Sequence, residues 1–206
     1  MLKIWGRTNS INVQKVLWCV DELGVAYERF DAGMAFGVVN EPGYRAMNPN
    51  GRVPTIDDAG FVLWESNAIV RYLAAKHGAG TLWPDSLQQR ADSDRWMDWC
   101  ASTLAAPMTA LFWQLIRTPA DKRDAKVAED SRTQSEALMR MLDERLGTHG
   151  FIAGQHLTIG DVPLGCFVHR WKSLPVERPV LPRLDAYHAR LAERPAFRRH
   201  VMLPLT

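Results

Sequence analysis

Arg52-Val53-Pro54-Thr55-Ile56, followed past a short turn by Trp64-Glu65-Ser66-Asn67-Ala68-Ile69, is the stretch from which the rest of the chain is best read. Proline has no N–H to give to a sheet ladder. Pro54, set among β-branched residues, therefore marks the edge or the end of a strand, and an X-Pro bond also admits a cis peptide. A cis bond here would turn the N–H and C=O of Val53 outward. Beyond the Asp57-Asp58-Ala59-Gly60 turn, Glu65-Ser66 falls where the pattern changes from strand to helix. Free N–H groups and the positive dipole end of that helix favour a carboxylate, while the Glu65 side chain favours an amine. Together they would hold one end of an amino acid or small peptide. Taken singly, each has a plainer reading, as an edge-strand proline and as an ordinary helix start.

Toward the N-terminus, Leu2 to Trp5 reads as a strand, and Val13, Val16, Leu17, Val20 and Leu23 recur at helical spacing. Gly24 ends that helix, and Tyr27 to Asp31 resumes as a strand. A short helix is expected over Pro42 to Met47. Val53 to Asp57 and Phe61 to Trp64 flank a hairpin turn, and Asn67 to Lys76 places Ala68, Ile69, Tyr72 and Leu73 on one helical face. The expected order is β-α-β-α-β-β-α over residues 1–80, with a Gly/Pro-containing linker over 81–86.

Strand signals vanish after the linker, and residues 87–206 read as an all-α domain. Long helical stretches run from Leu87 to Arg117, interrupted at Pro107, and from Asp121 to Leu146, where Leu138, Met141, Leu142 and Leu146 form a stripe. Thr158-Ile159-Gly160-Asp161 is a capping-box variant, Thr at N-cap and Asp at N3, ahead of the apolar run from Val162 to Trp171. Two short helices, Leu181 to Leu191 and Pro195 to Met202, complete the chain.

Composition narrows the function. With 206 residues and 47% hydrophobic content the chain can bury a sizeable core unaided. Its 25 basic and 23 acidic residues are interspersed, which argues against a nucleic-acid partner. No apolar run reaches membrane-spanning length and no signal peptide is visible, so a cytoplasmic protein is expected. Cys19, Cys100 and Cys166 are odd in number and widely spaced, which fits packed, reduced thiols. The histidines show no metal-ligand spacing, and no phosphate loop or dinucleotide fingerprint appears, so no metal is expected.

The β-α-β unit, the Val-Pro and Glu-Ser pairs and a helical second domain with a Thr-x-x-Asp cap together resemble the cytosolic glutathione transferases, over essentially the whole chain. Asn48-Pro49-Asn50-Gly51-Arg52-Val53-Pro54 looks like that family's approach to its cis-proline, and Glu65-Ser66 is similar to its γ-glutamyl-binding pair. The resemblance implies a thioredoxin-like first domain that binds reduced glutathione, with the thiol at the start of the first helix. Ser10 then matches the catalytic serine of the theta-like groups. Asn12 matches an asparagine of the bacterial nu-like groups, which also act on disulfides. The chain departs from the beta class, which has cysteine where Ser10 stands, and from classes that use an early tyrosine, since Tyr27 is the first here. Asn40 and Glu41 occupy the region where several classes place a basic residue, which leaves Arg52 as the candidate partner of the glycine carboxylate.

Ser10 has the plain reading of an N-cap and the functional reading of a hydrogen-bond donor to the ligand sulfur. The expected glutathione site is Ser10, Asn12, Arg52, Val53, Pro54, Glu65 and Ser66. Trp96 and Trp99 read as helix packing, while Met108, Phe112, Trp113 and Arg117 are expected to line the pocket for a small hydrophobic electrophile. The resemblance further implies a homodimer. Two rival readings are a nu-like disulfide-bond reductase and a non-catalytic transferase-like binding module.

Overall fold

Four short strands make one mixed sheet in the order β2-β1-β3-β4, with β1 (Leu2–Trp5) parallel to β2 (Tyr27–Phe30) and β3 (Thr55–Asp58) antiparallel to both β1 and β4 (Phe61–Trp64). This computed structural model describes residues 1–147 and 149–206. Alternation decides which sheet face is inside: Leu2, Ile4 and Ile56 are buried while Lys3 is exposed. Helix α1 (Ile11–Glu22) joins β1 to β2, α2 (Pro42–Met47) lies before β3, and α3 (Ser66–His77) follows β4. This is the expected β-α-β-α-β-β-α order. Helix α1 ends as its sequence implies, in a Schellman turn at Gly24 (φ 65°), where Val25 N–H bonds Val20 C=O at 3.0 Å and Gly24 N–H bonds Asp21 C=O at 3.2 Å.

The remainder is helical: α4 (Leu87–Trp99), α5 (Ala105–Phe112), α6 (Ala125–Arg145), α7 (Asp161–Ser173), α8 (Pro182–Ala192) and α9 (Pro195–His200). Pro107 lies inside α5 and does not interrupt the helical run from Leu87 to Arg117, contrary to expectation. The helix passes through it, and π-helical turns lie on either side, at Cys100–Leu104 and Trp113–Arg117. The wider turn ahead of Pro107 relieves the clash of the proline ring with the preceding carbonyls. On α6 the inward stripe runs through Ser131, Ser135, Met139 and Leu142, whereas Met141 points outward and is 37% exposed.

One hydrophobic core crosses both domains. Helix α1 packs against α3 on one side and against α7 and α9 on the other, so it is buried beyond the single stripe its spacing suggests. Trp18 is fully buried, edge-on to Phe197 at 4.8 Å between ring centres. A Cβ on Gly165 would meet the Trp18 ring at 2.9 Å, so α7 needs glycine for this close approach.

Helices α7 and α8 are joined by Lys172 with Asp185 and by His169 Nδ1 to His188 Nε2 at 3.0 Å, the two rings stacked. One ring donates and the other accepts, so the pair cannot take up two protons and keep its bond. Burial, then the neighbouring His169, lowers His188 to about 4, and burial lowers His169 as well. An unfolded histidine titrates near 6.5, so the unfolded chain takes the proton first. Stability from this pair is complete above about pH 6.5 and is lost as pH falls toward about 4. After discounting for partial exposure, His188→Gln is expected to remove about 1 kcal/mol of the stability difference between about pH 7 and about pH 5. Urea unfolding of both proteins at the two pH values checks this, and equal losses would count against it.

Candidate active site

The sheet register gathers the site. Trp5 lies opposite Thr55, and Thr55 lies opposite Trp64. The segments that follow β1, precede β3 and follow β4 therefore leave the sheet at one end, and these hold Arg7 to Asn12, Arg52 to Pro54, and Glu65 with Ser66.

The loop before β3 is fixed by buried polar groups. Asn48 Nδ2 donates to Arg52 C=O at 2.9 Å and to Thr55 Oγ1 at 3.0 Å, and its Oδ1 accepts from Asn50 N–H at 3.0 Å. Tyr44 OH on α2 donates to Arg52 C=O at 2.6 Å and lies 2.8 Å from Thr55 Oγ1. Gly51 adopts φ 57°, a left-handed conformation that glycine takes without strain and other residues rarely adopt. The Val53-Pro54 bond is cis, as the sequence suggested. Neither backbone polar group of Val53 has a partner among the described residues. Both are therefore free for a ligand.

Ser10 stands at the N-cap of α1, 8% exposed, but its hydroxyl makes no capping bond and no other hydrogen bond among the described residues. An N-cap serine ordinarily accepts from an N–H of the first turn. Here that bond is not made, and the Oγ–H has no partner among the described residues. The first intrahelical bond is Gln14 N–H to Ser10 C=O, so the N–H groups of Ile11, Asn12 and Val13 are open at the positive end of the helix. Asn12 Oδ1 accepts from Lys15 Nζ at 2.9 Å. Its amide N–H2 has no partner among the described residues.

These groups line a cleft of about 380 Å³ between the two domains, together with Val53, Phe112, Trp113 and four arginines, Arg7, Arg52, Arg117 and Arg170. Seven of the expected positions meet there: Ser10, Asn12, Arg52, Val53, Phe112, Trp113 and Arg117. Pro54 lies buried behind Val53. Glu65, exposed, and Ser66, buried, sit at the start of α3 outside the cleft lining. Glu65 is the α3 N-cap, held at φ 71°, and the N–H groups of Ser66, Asn67 and Ala68 are the open ones of that helix. Met108 does not line the cleft. It is fully buried, because the uninterrupted helix through Pro107 turns that side chain into the core.

Sequence reading missed Arg7, Lys15 and Arg170. Lys15 is 5% exposed, and burial lowers its pKa first of all, with Arg170 lowering it further and Glu65 opposing. Arg170 is 6% exposed, with its guanidinium carbon 4.1 Å from the Phe112 ring centre. Burial, opposed by the Cys166 thiol and reinforced by Arg117, lowers it to about 10. The signal that would have found both is a cation at a core-facing position: Lys15 shares a face with Ile11 and Trp18, and Arg170 lies within the apolar run of α7. The three cysteines are buried free thiols, with Cys100 and Cys166 both pushed up to about 12 by burial. They do not line the cleft. Among the described residues no cluster of potential metal ligands occurs, and no helix is long and apolar enough to cross a membrane.

Residues 1–75 match the family model for the glutathione S-transferase N-terminal domain, and residues 125–200 match that for the C-terminal domain. The chain is 39% identical to glutathione S-transferase GstB of Escherichia coli K12, over the whole of both chains. It is 29% identical to glutathione S-transferase 4 of Zea mays, over 95% of this chain and 89% of that one. The crystal structure of the theta class glutathione S-transferase of Xanthomonas axonopodis pv. citri with glutathione bound superposes with a TM-score of 0.96 at 49% identity, covering 100% of this chain and 99% of that one. Full-length similarity on this scale, joined to a thioredoxin-like domain whose first helix opens on an uncommitted serine, leaves one conclusion: the chain belongs to the glutathione S-transferase family.

Proposed function

We propose that the chain binds reduced glutathione along its first domain, residues 1–80, and ionises the thiol for attack on an electrophile held against the helical domain, residues 87–206. The observation that carries this reading is the Ser10 hydroxyl, free of any capping bond and lying in the cleft at the mouth of α1. No histidine lines the cleft, so no base stands ready to make Ser10 itself a nucleophile. Ser10 and the Asn12 amide instead donate to the ligand sulfur. Val53 offers its free backbone N–H and C=O to the cysteinyl part, Glu65 takes the γ-glutamyl amine, and the open N–H groups at Ser66 take its carboxylate. Arg52 takes the glycine carboxylate. Phe112, Trp113 and Arg117 face the second substrate.

The test is turnover of a chlorinated nitroaromatic with glutathione, together with thermal stability in the tripeptide's presence. At a glutathione concentration about 100 times its Kd, binding is expected to add about 2.7 kcal/mol of stability. A protein neither stabilised by glutathione nor retained on the immobilised tripeptide would be a transferase-like binding module. Activity confined to hydroxyethyl disulfide would make it a reductase instead. We further infer a reduced cytoplasmic setting, supported by three buried free thiols, and a homodimer, supported by the aromatic surface of Phe61, 49% exposed on the edge strand β4. Light scattering at twice the 23.3 kDa chain mass checks the dimer.

A further inference from the structure

The cleft has more positive charge than glutathione needs. Its lining holds Arg7, Arg52, Arg117 and Arg170 but no Asp or Glu. Arg7, Arg52 and Arg170 join no ion pair among the described residues. Three of the four also oppose one another, since Arg117 lowers the pKa of Arg7 and of Arg170 after the larger effect of burial. Arg7 Nε is buried with no hydrogen-bond partner. The Arg170 guanidinium, on a residue 6% exposed, finds no oxygen acceptor among the described residues and rests on the Phe112 and Phe167 rings, 4.1 and 5.8 Å from their centres. Arg117 lies 5.0 Å from the centre of the same Phe112 ring, and its Nε and Nη2 donate to the backbone oxygen of Thr206 at 3.2 and 2.9 Å.

Like charges gathered in a half-closed cleft whose lining holds no Asp or Glu are costly, and an anion placed between them relieves desolvation and repulsion together. Glutathione's two carboxylates are already assigned, to Arg52 and to the start of α3. Arg117 and Arg170 belong to the helical domain and sit beside Phe112, on the second-substrate side. Aromatic faces hold the planar guanidinium of Arg170 while leaving its N–H edge open, which suits bidentate capture of a carboxylate.

We propose that the electrophile this site prefers is a small anionic one, a carboxylate borne on an apolar or aromatic body, with Arg117 and Arg170 binding the carboxylate while the reacting carbon faces the ligand sulfur. This rests on the reading of the cleft as the glutathione site and narrows the class of its second substrate. For an aryl chloride the step balances simply. The thiol proton passes to solvent, the thiolate attacks the ring carbon, the C–S bond forms, and chloride leaves with the electron pair of the broken C–Cl bond.

The experiment compares 4-chloro-3,5-dinitrobenzoate with 4-chloro-3,5-dinitrobenzamide, using the full chain and glutathione, each kcat/KM being divided by the rate constant of the uncatalysed reaction. The carboxylate is expected to be favoured about tenfold or more, chiefly through KM, as suits a charge-assisted bidentate contact. Arg170→Gln should shrink that preference at least about threefold, and so should the more accessible Arg117→Gln, which keeps the test sound if loss of the buried arginine unfolds α7. Equal use of the two compounds, preference for the amide, or a preference that survives both substitutions would overturn the inference. If glutathione still stabilises the protein in that case, the glutathione reading stands alone; if it does not, and neither compound is turned over, both fall.

Discussion

Ser10→Ala is expected to raise the pKa of the bound glutathione thiol by about one to two units and to cut kcat/KM near neutral pH by about tenfold or more, with only a small change in glutathione affinity. A thiol of ordinary pKa, about 8.5, is only a few per cent ionised at neutral pH, and the thiolate is the attacking species. One hydrogen bond to a charged acceptor is worth about 1.5 to 3 kcal/mol, which corresponds to about one to two pK units. The Ser10 hydroxyl has no competing partner among the described residues, so its whole capacity to donate is available to the sulfur. Since the bond lowers the thiol pKa, its removal raises it, and the loss of rate should shrink as pH rises above the variant's new thiol pKa.

In the proposed binding mode the tripeptide makes its other contacts elsewhere, at Val53, Arg52, Glu65 and Ser66, which is why binding should survive the substitution. The open N–H groups of Ile11, Asn12 and Val13, the Asn12 amide and the α1 dipole also remain, so the pKa should not return fully to that of free glutathione. The measurement is ultraviolet titration of thiolate in the binary complex, alongside the pH profile of kcat/KM. An unchanged titration in the variant would remove Ser10 from thiol activation. Ser10→Thr, which keeps the hydroxyl, should recover part of the shift, an outcome that a purely structural cap would not produce in the thiol titration.

The features legible in the sequence are those set by the backbone. Val53-Pro54 and Glu65-Ser66 announce themselves because proline and a helix start constrain the chain locally, and the antiparallel pairing of Thr55 with Trp64 and of Trp5 with Thr55 then gathers them at one sheet end. What escaped depends on which way a helix faces. Spacing on α1 shows one apolar stripe, yet α7 and α9 cover a second face that carries Lys15, and only the packed second domain reveals it. Arg170 is hidden for the same reason: its side chain turns from the core toward the cleft at a position indistinguishable by spacing from its buried neighbours on α7. Pro107 misled because a π-turn can absorb a proline, and the assignment of Met108 to the pocket depended on the helix breaking there.

Asp161→Ala is expected to cost the fold about 3 to 5 kcal/mol, because it removes the acceptor of several buried hydrogen-bond donors at once. The sequence marks Thr158 and Asp161 as a capping box, but the structure builds something more connected. Asp161 is 0% exposed, and its Oδ1 accepts from Ile152 N–H at 2.9 Å and Tyr187 OH at 3.1 Å. Its Oδ2 accepts from Thr158 N–H at 2.8 Å and Thr158 Oγ at 3.1 Å. One side chain thus ties the segment before α7 to α7 itself and to α8. Alanine would strand these donors in the interior, each at a cost of about 1 to 3 kcal/mol before relaxation. Asn is nearly as poor a replacement, because its N–H2 must face one pair of donors. Burial, opposed by the Ile152 and Thr158 bonds, pushes the carboxyl up to about 6, against about 3.9 in the unfolded chain. The folded protein therefore binds the proton more readily, and this group's contribution to stability falls as pH rises from about 4 to about 6, opposite in sign to the His188 effect over an overlapping window. Each effect is accordingly read as a difference between wild type and variant. Asp161 does not line the cleft, so kcat/KM per folded molecule should be retained while the urea midpoint drops. A midpoint shift worth less than about 1 kcal/mol would show that the α7 network does not brace the helical domain.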